Sequence, residues 1–180
     1  MFVLNAVNYL LAKKVVKFSK FIPRPDQELA IEEAEINFIV EDQPRGQLIV
    51  PCAVGKTFIG LWIAESLFDL EDAKNVLIIA PNLNLVKQNL EAWTRHARVP
   101  YSYQALCSDD SVGKGMEEIS ETGLINVSTN IEQLSLFLLN NNDEPKALFS
   151  TYQSIPTLAA LCQKVNFKFD FAIFDEARPG

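Results

Sequence analysis

One stretch restricts the fold of this chain more than any other. In residues 47–65 an apolar run is followed by a short turn, by Gly55-Lys56-Thr57, and by a second apolar run. The first run predicts a strand and the second predicts a helix. A helix that begins directly after such a turn points backbone N–H groups and the positive end of its dipole at an anion. The stretch therefore predicts a phosphate-binding P-loop.

The residues of this loop each suit that chemistry. Gly55 lets the backbone approach a phosphate closely, Lys56 would reach the β and γ phosphates, and the Thr57 hydroxyl would ligate Mg²⁺. The full pattern has one more glycine, and Val50 stands at its position. The alternative interpretation is an ordinary strand-turn-helix connection whose lysine is solvated.

Length and charge limit the class of protein. The chain has 180 residues and a net charge of −7, with 16 Lys and Arg against 23 Asp and Glu. The length suits one domain. The negative charge argues against a blanket affinity for nucleic acid but leaves room for a local phosphate-binding groove. The three cysteines are far apart and show neither a zinc spacing nor a disulfide framework, which favours a reducing, cytoplasmic location.

The first 20 residues form a separate amphipathic segment, in which lysines follow an apolar run. A secretory signal would have its charge before the apolar run, and the run is too short and too polar to span a membrane. We expect a helix or strand packed on the domain. The alternative is that Lys13 to Lys20 form a basic patch that contacts phosphates.

After the P-loop, apolar runs alternate with amphipathic segments. Strands are predicted over 75–80, 101–107, 125–129, 147–151 and 169–174, and helices over 28–34, 83–93, 131–139 and 156–165. The alternation predicts an α/β fold with a mostly parallel sheet between two layers of helices, in which ligands bind at the carboxyl ends of the strands. Residues 108–122 are polar and are expected to form a loop.

Two adjacent carboxylates, Asp175 and Glu176, follow the last apolar strand. Carboxylates at the end of a buried strand are costly to desolvate, so a partner is expected. Asp175 would hold Mg²⁺ through water, and Glu176 would orient and deprotonate the water that attacks a γ phosphate. The alternative is a polar strand end in a loop.

Gln27, early in the first predicted helix, allows two interpretations. A carboxamide can pair with N6 and N7 of adenine, so Gln27 could read that base. It could also be a plain surface residue.

Together, five segments resemble in order the motifs of the first RecA-like domain of superfamily-two DEAD/DEAH-type helicases. The branch that contains the helicase subunits of restriction enzymes is the most similar. The segments are 24–27 (adenine motif), 51–57 (motif I), 79–86 (motif Ia), 149–154 (a backbone-contacting motif) and 174–177 (motif II). The fold that the resemblance implies is a three-layer P-loop NTPase.

The resemblance implies binding of ATP and Mg²⁺, and hydrolysis coupled to movement along nucleic acid, with DNA favoured over RNA. Lys56, Asp175 and Glu176 would be catalytic, and Thr57 and Asp175 would hold the metal. The nucleotide would contact Arg24, Gln27, Pro51, Cys52, Ala53, Val54, Gly55, Lys56 and Thr57. Pro81, Asn82, Thr151 and Tyr152 would face the nucleic acid.

The resemblance covers 21–180 and is expected to end just after motif II. A second RecA-like domain, which closes on ATP in the family, would be missing or supplied by a partner chain. A strand that lies beside the motif II strand in the family would also be missing, which would leave a gap in the sheet or force a different pairing.

Two other hypotheses remain open. One is a truncated or decayed, non-catalytic remnant that binds nucleotide or a partner. It is favoured by Ala53 and Val54, since motif I usually carries Gly-Thr there, and by Arg178, where motif II usually ends in His or Asp. An alanine with positive φ is strained. The other is an unrelated P-loop enzyme such as a small-molecule kinase.

Overall fold

The computed structural model describes residues 21–51, 53–70, 73–106, 127–128, 131–140 and 144–176. The expectations for residues 1–20 and 108–122 lie outside these ranges. The chain divides into two compact units, residues 1–72 with 92–99 and residues 73–91 with 100–180. In the part that the structure describes, no helix has the length and apolar character needed to cross a membrane.

In the described part of the first unit, two helices pack against each other. Helix α1 spans Pro25–Glu35, continues as one π-helical turn over Ile36–Val40, and is followed by α2, which spans Lys56–Leu70. Pro25 suits the first turn because its missing N–H has no helical partner there. A small core joins the two helices through Ala30, Ile31, Ile59 and Trp62. The predicted helix over 28–34 is confirmed and is longer at both ends.

The strand predicted over 47–50 is not formed. The segment joins no sheet among the described residues, and the Ile49 side chain is 82% exposed. A strand requires a hydrogen-bonded neighbour, and an apolar run gives no information about whether one is available. The helix that the same stretch predicts is present as α2.

The second unit contains a five-stranded sheet in the order β3-β2-β4-β1-β5. Every pair is parallel. The strands are β1 (Asn75–Ala80), β2 (Ser102–Leu106), β3 (Val127–Ser128), β4 (Lys146–Thr151) and β5 (Phe171–Phe174). The α-helices that the structure describes in this part of the chain are α3 (Leu83–His96), α4 (Ile131–Leu139) and α5 (Ile155–Val165). The last residues of α3 belong to the first unit.

The centre of the sheet is fully enclosed, since every residue of β4 is buried. Leu148 of β4 packs in a cluster with Leu134 and Leu138 of α4 and with Leu158 and Leu161 of α5. Burial of a strand on both faces is typical of a parallel sheet. The predicted α/β class is therefore confirmed, and the bounds predicted for β1 and α4 match those observed.

The last strand differs from its prediction in two ways. It begins at Phe171 instead of 169, and it is not buried throughout, because Phe174 is 53% exposed. The cause is its position at the edge of the sheet, where only β1 pairs with it among the described residues. The ladder continues beyond the strand, since Asp175 N donates to Ile79 O at 2.8 Å.

The start of the β1–β5 pair is fixed by Asp170. Its Oδ2 accepts hydrogen bonds from Lys74 N and Asn75 N, both at 2.8 Å, and from Asn75 Nδ2 at 3.2 Å. The Asp170 backbone N–H donates to Asn75 O at 2.9 Å. One carboxylate oxygen thus stabilises the register between β1 and β5. Asp175 follows β5 directly, so this register also determines the position of Asp175.

We predict that Asp170→Ala lowers the free energy of unfolding by about 1–2 kcal/mol, because three donors lose a charged acceptor at a solvent-exposed position. Urea denaturation followed by circular dichroism measures this loss. Lys168→Ala, at an exposed position two residues earlier, is the matched control. Equal stability of the two variants would contradict the role of Asp170.

Candidate functional site

The loop before α2 has an unusual backbone. Ala53 has φ 65° and Gly55 has φ 90°. The first hydrogen bonds into the helix run from Phe58 N and Ile59 N to Gly55 O, at 3.0 and 3.1 Å. The N–H groups of Gly55 and Lys56 therefore precede the hydrogen-bonded part of the helix, where an anion can be bound.

The loop is fastened to α1 through Val54. The Val54 carbonyl accepts hydrogen bonds from Gln27 Nε2 at 2.6 Å and from Arg24 Nη2 at 2.9 Å. The Val54 side chain packs against the core that joins α1 and α2. A valine that looks unsuitable for a glycine-rich loop therefore has a packing role in this chain.

Gln27 is not a plain surface residue, because it is only 4% exposed. Its Oε1 accepts a hydrogen bond from Arg24 N at 2.9 Å, while its Nε2 holds Val54. Arg24 also forms an ion pair with Asp26 at 3.1 Å. Hydrogen bonding to Arg24 lowers the pKa of the Asp26 carboxyl. Arg24 and Gln27, the first and last residues of the predicted adenine motif, thus hold the loop in place.

The other predicted loop residues differ in accessibility. Lys56 and Pro51 are exposed, Thr57 is half-buried, and Cys52 lies outside the described residues. The exposed ammonium group of Lys56 lies at the first position of α2. A cation there is available to an anionic ligand.

A buried ion pair between Glu65 of α2 and Arg98 stabilises the position of α2. Glu65, 2% exposed, accepts hydrogen bonds from Arg98 N at 2.5 Å and from Arg98 Nε at 2.6 Å. A buried carboxylate is tolerated when it is paired and hydrogen-bonded in this way. Sequence analysis did not single out this pair.

The second unit has its own group of candidate residues at the turn after β5, which we call the carboxylate turn (Asp175 and Glu176). Glu176 is exposed and has φ 52°, a left-handed conformation that is rare for glutamate. Residues held in such conformations are concentrated at functional sites. Asp175 and Glu176 form a turn directly after β5.

Asp175 is contacted by a residue that sequence analysis missed. Asn89, on α3 and 3% exposed, donates from Nδ2 to Asp175 Oδ2 at 3.0 Å. A signal was present, since Asn89 lies three residues after Val86 and beside Leu90, both buried. An amide on the apolar face of a helix requires a polar partner.

Tyr152 also contacts the carboxylate turn. Its hydroxyl donates to Asp175 O at 3.1 Å, and its ring lies 6.3 Å from that of Phe174, centroid to centroid. Burial raises the pKa of the Tyr152 phenol, and the negative charges of Asp175 and Glu176 raise it further. Tyr152 therefore stays protonated and remains a donor at neutral pH.

The remaining residues expected to face nucleic acid lie at strand ends. Asn82 is exposed and caps α3, since its Oδ1 accepts from Leu85 N at 3.0 Å, and Pro81 beside it is half-buried. Thr151 is 2% exposed, and its Oγ1 lies 3.1 Å from Ser154 Oγ. β1 and β4 are adjacent and parallel, and Ala80 pairs with Thr151, so these positions share one edge of the sheet.

The chain matches a known protein family. Residues 20–177 match the family described as "Type III restriction enzyme, res subunit". No curated protein matches the chain significantly.

Two of the solved structures that are similar to the chain are restriction-modification enzymes. The first is a nuclease-deletion mutant of the Type ISP restriction-modification enzyme LlaGI in complex with a DNA substrate mimic, with 28% identity, a TM-score of 0.68 and 87% of this chain covered. The second is the ATP-dependent Type ISP restriction-modification enzyme LlaBIII bound to DNA, with 30% identity, a TM-score of 0.70 and 90% of this chain covered. The match spans 15% of the first chain and 10% of the second.

The contact between Gly55 and Gln27 gives a prediction for the loop. A Cβ on Gly55 would lie 2.8 Å from Gln27 Nε2, and φ is 90°. We expect Gly55→Ala to cost about 1–3 kcal/mol of unfolding free energy. In a Gln27→Ala background the clash is gone and only the backbone strain remains, so the same change should cost less. Urea denaturation of the two single variants and the double variant measures the difference. Strictly additive costs would contradict the contact.

Proposed function

Because this chain belongs to the family of the Type III restriction enzyme res subunit, we propose that it binds and hydrolyses ATP with Mg²⁺ while acting on DNA. The family and the solved relatives make it a helicase-type, RecA-like domain, which confirms the resemblance found in the sequence. Nucleotide turnover, the metal, the nucleic acid and completion by a second RecA-like domain are parts of the proposal.

The loop before α2 is the observation that carries this proposal. Two positive φ angles, at Ala53 and Gly55, bring the chain to the start of a 15-residue helix. Arg24 and Gln27 hold the loop in that shape through the Val54 carbonyl. A preformed anion site loses little entropy on binding. Lys56 would neutralise phosphate charge, and the Thr57 hydroxyl would offer an oxygen ligand.

The carboxylate turn supplies the second part of the chemistry. Carboxylate and hydroxyl oxygens are ligands that Mg²⁺ accepts, usually with several waters retained, so Asp175 and Thr57 are suitable donors. When bound, Mg²⁺ would neutralise charge that develops on the phosphates. Glu176, which is exposed, would orient the attacking water and accept its proton.

A role in contact with nucleic acid is proposed for the strand ends. Pro81, Asn82, Thr151 and Tyr152 follow two adjacent parallel strands. Asn82, which is exposed, and Tyr152, which is half-buried, offer side chains for backbone contacts. Thr151 is buried, so its contribution would come from the backbone. Both solved relatives carry DNA or a DNA mimic, which favours DNA over RNA.

One observation favours the alternative of a non-catalytic remnant. Ala53 has φ 65°, where glycine is free of strain and alanine is not. A measurement of ATP hydrolysis distinguishes an active translocase from a non-catalytic remnant. The chain would be fused to the second RecA-like domain of a relative, and ATP hydrolysis would be measured with and without DNA. DNA-stimulated hydrolysis supports the translocase, and binding without hydrolysis supports the remnant.

We predict that the chain binds a fluorescent ATP analogue in the presence of Mg²⁺ and that Lys56→Ala abolishes this binding. The reason is the loss of the exposed cation at the first position of α2. Fluorescence anisotropy measures the affinity. Lys164→Ala removes an exposed lysine from α5 and is the matched control. Equal binding by wild type and Lys56→Ala would refute a phosphate site at this loop.

A further inference from the structure

We propose that Asn89 is a positioning residue that sets the orientation of the Asp175 carboxylate for Mg²⁺. This inference rests on the proposed function and extends it to a residue outside the recognised motifs. Asn89 acts through Asp175 and is not proposed to contact metal or nucleotide.

Three different parts of the second unit form hydrogen bonds with Asp175. Its N–H donates to Ile79 O of β1 at 2.8 Å, and its carbonyl accepts from the Tyr152 hydroxyl at 3.1 Å. Its Oδ2 accepts from Asn89 Nδ2 of α3 at 3.0 Å. The first two contacts fix the backbone only. Among the described residues, Asn89 is the one side chain that hydrogen-bonds the carboxylate itself.

An amide is costly to place at this position. Asn89 is 3% exposed, and the neighbouring buried residues Val86 and Leu90 are apolar. An apolar residue of similar size would pack there without requiring a hydrogen-bond partner, whereas a buried amide must be satisfied. Packing of α3 therefore does not explain the asparagine, whereas donation of a hydrogen bond to Asp175 requires a polar side chain.

An oriented carboxylate is a better ligand for Mg²⁺ than a mobile one. Mg²⁺ requires near-ideal octahedral geometry, so a carboxylate that can rotate is a poorer ligand than one that is held. Asn89 engages one oxygen of Asp175 and thereby fixes the plane of the carboxylate. Groups that orient a metal ligand in this way typically change metal affinity by about 10–100-fold when they are removed.

The test compares wild type with Asn89→Leu, which has nearly the same size and no donor. Binding of the fluorescent ATP analogue is titrated with Mg²⁺, and the analogue is also titrated in EDTA. We expect the Mg²⁺ concentration at half-maximal binding to rise about tenfold or more in Asn89→Leu. The affinity in EDTA and the melting temperature should stay at the wild-type values, because a leucine fills the same space.

Further variants complete the design. Gln163→Leu makes the corresponding change at an exposed position on α5 and should leave the Mg²⁺ dependence unchanged. Tyr152→Phe removes the hydroxyl that holds the Asp175 carbonyl while keeping the ring. We expect it to shift the Mg²⁺ dependence in the same direction and by less, because it frees only the backbone. If Asn89→Leu does not fold, Asn89→Ala, which removes the same donor, tests the inference by the same titration.

The outcomes separate this inference from the proposed function. If wild type binds the analogue and folded Asn89→Leu shows the wild-type Mg²⁺ dependence, the positioning role is overturned and the proposed function stands. A parallel fall of affinity in Mg²⁺ and in EDTA also overturns it, because the effect would then be structural. If wild type itself binds no analogue, the proposed function fails and the metal-directed role of Asn89 fails with it.

Discussion

The second unit depends on the pairing of β1 with two neighbours. β1 forms parallel ladders with β4 on one side and β5 on the other. Because all three strands run in the same direction, Asn82, Tyr152 and Asp175 all lie at the carboxyl ends of the strands. Asp170 fixes the β1–β5 register at the opposite end. The contacts of Asp175 with β1 and with Tyr152 follow from this arrangement.

The candidate phosphate loop of the first unit depends on different interactions. Its shape does not come from glycine alone, since Ala53 also has positive φ. The Val54 carbonyl accepts hydrogen bonds from Gln27 on α1 and from Arg24 directly before it, and the Val54 side chain packs against the core between α1 and α2. Tertiary contacts thus stabilise a backbone that the local sequence does not favour. This accounts for a motif I that departs from the usual residues.

Sequence patterns correctly predicted the elements whose formation is indicated by their own residues. The continuous apolar run of β1 and the helical period of α4 gave the observed bounds, since each pattern is local. The run at 47–50 has the same apolar character and forms no strand, because a strand also needs a partner. The burial expected for β5 was wrong for the related reason that its neighbours on the sheet cannot be read from its own residues.

The sequence by itself determined the chemistry available to this protein: a lysine and threonine at a helix start, two carboxylates after a strand, and the order of motifs that identifies the family. The tertiary structure alone decided how those groups are held. Gln27 holds the loop before α2, and Asn89, which belongs to none of the five motifs, holds Asp175. The physical reason is that a hydrogen bond between residues 86 positions apart depends on strand order and helix packing, which no local pattern encodes.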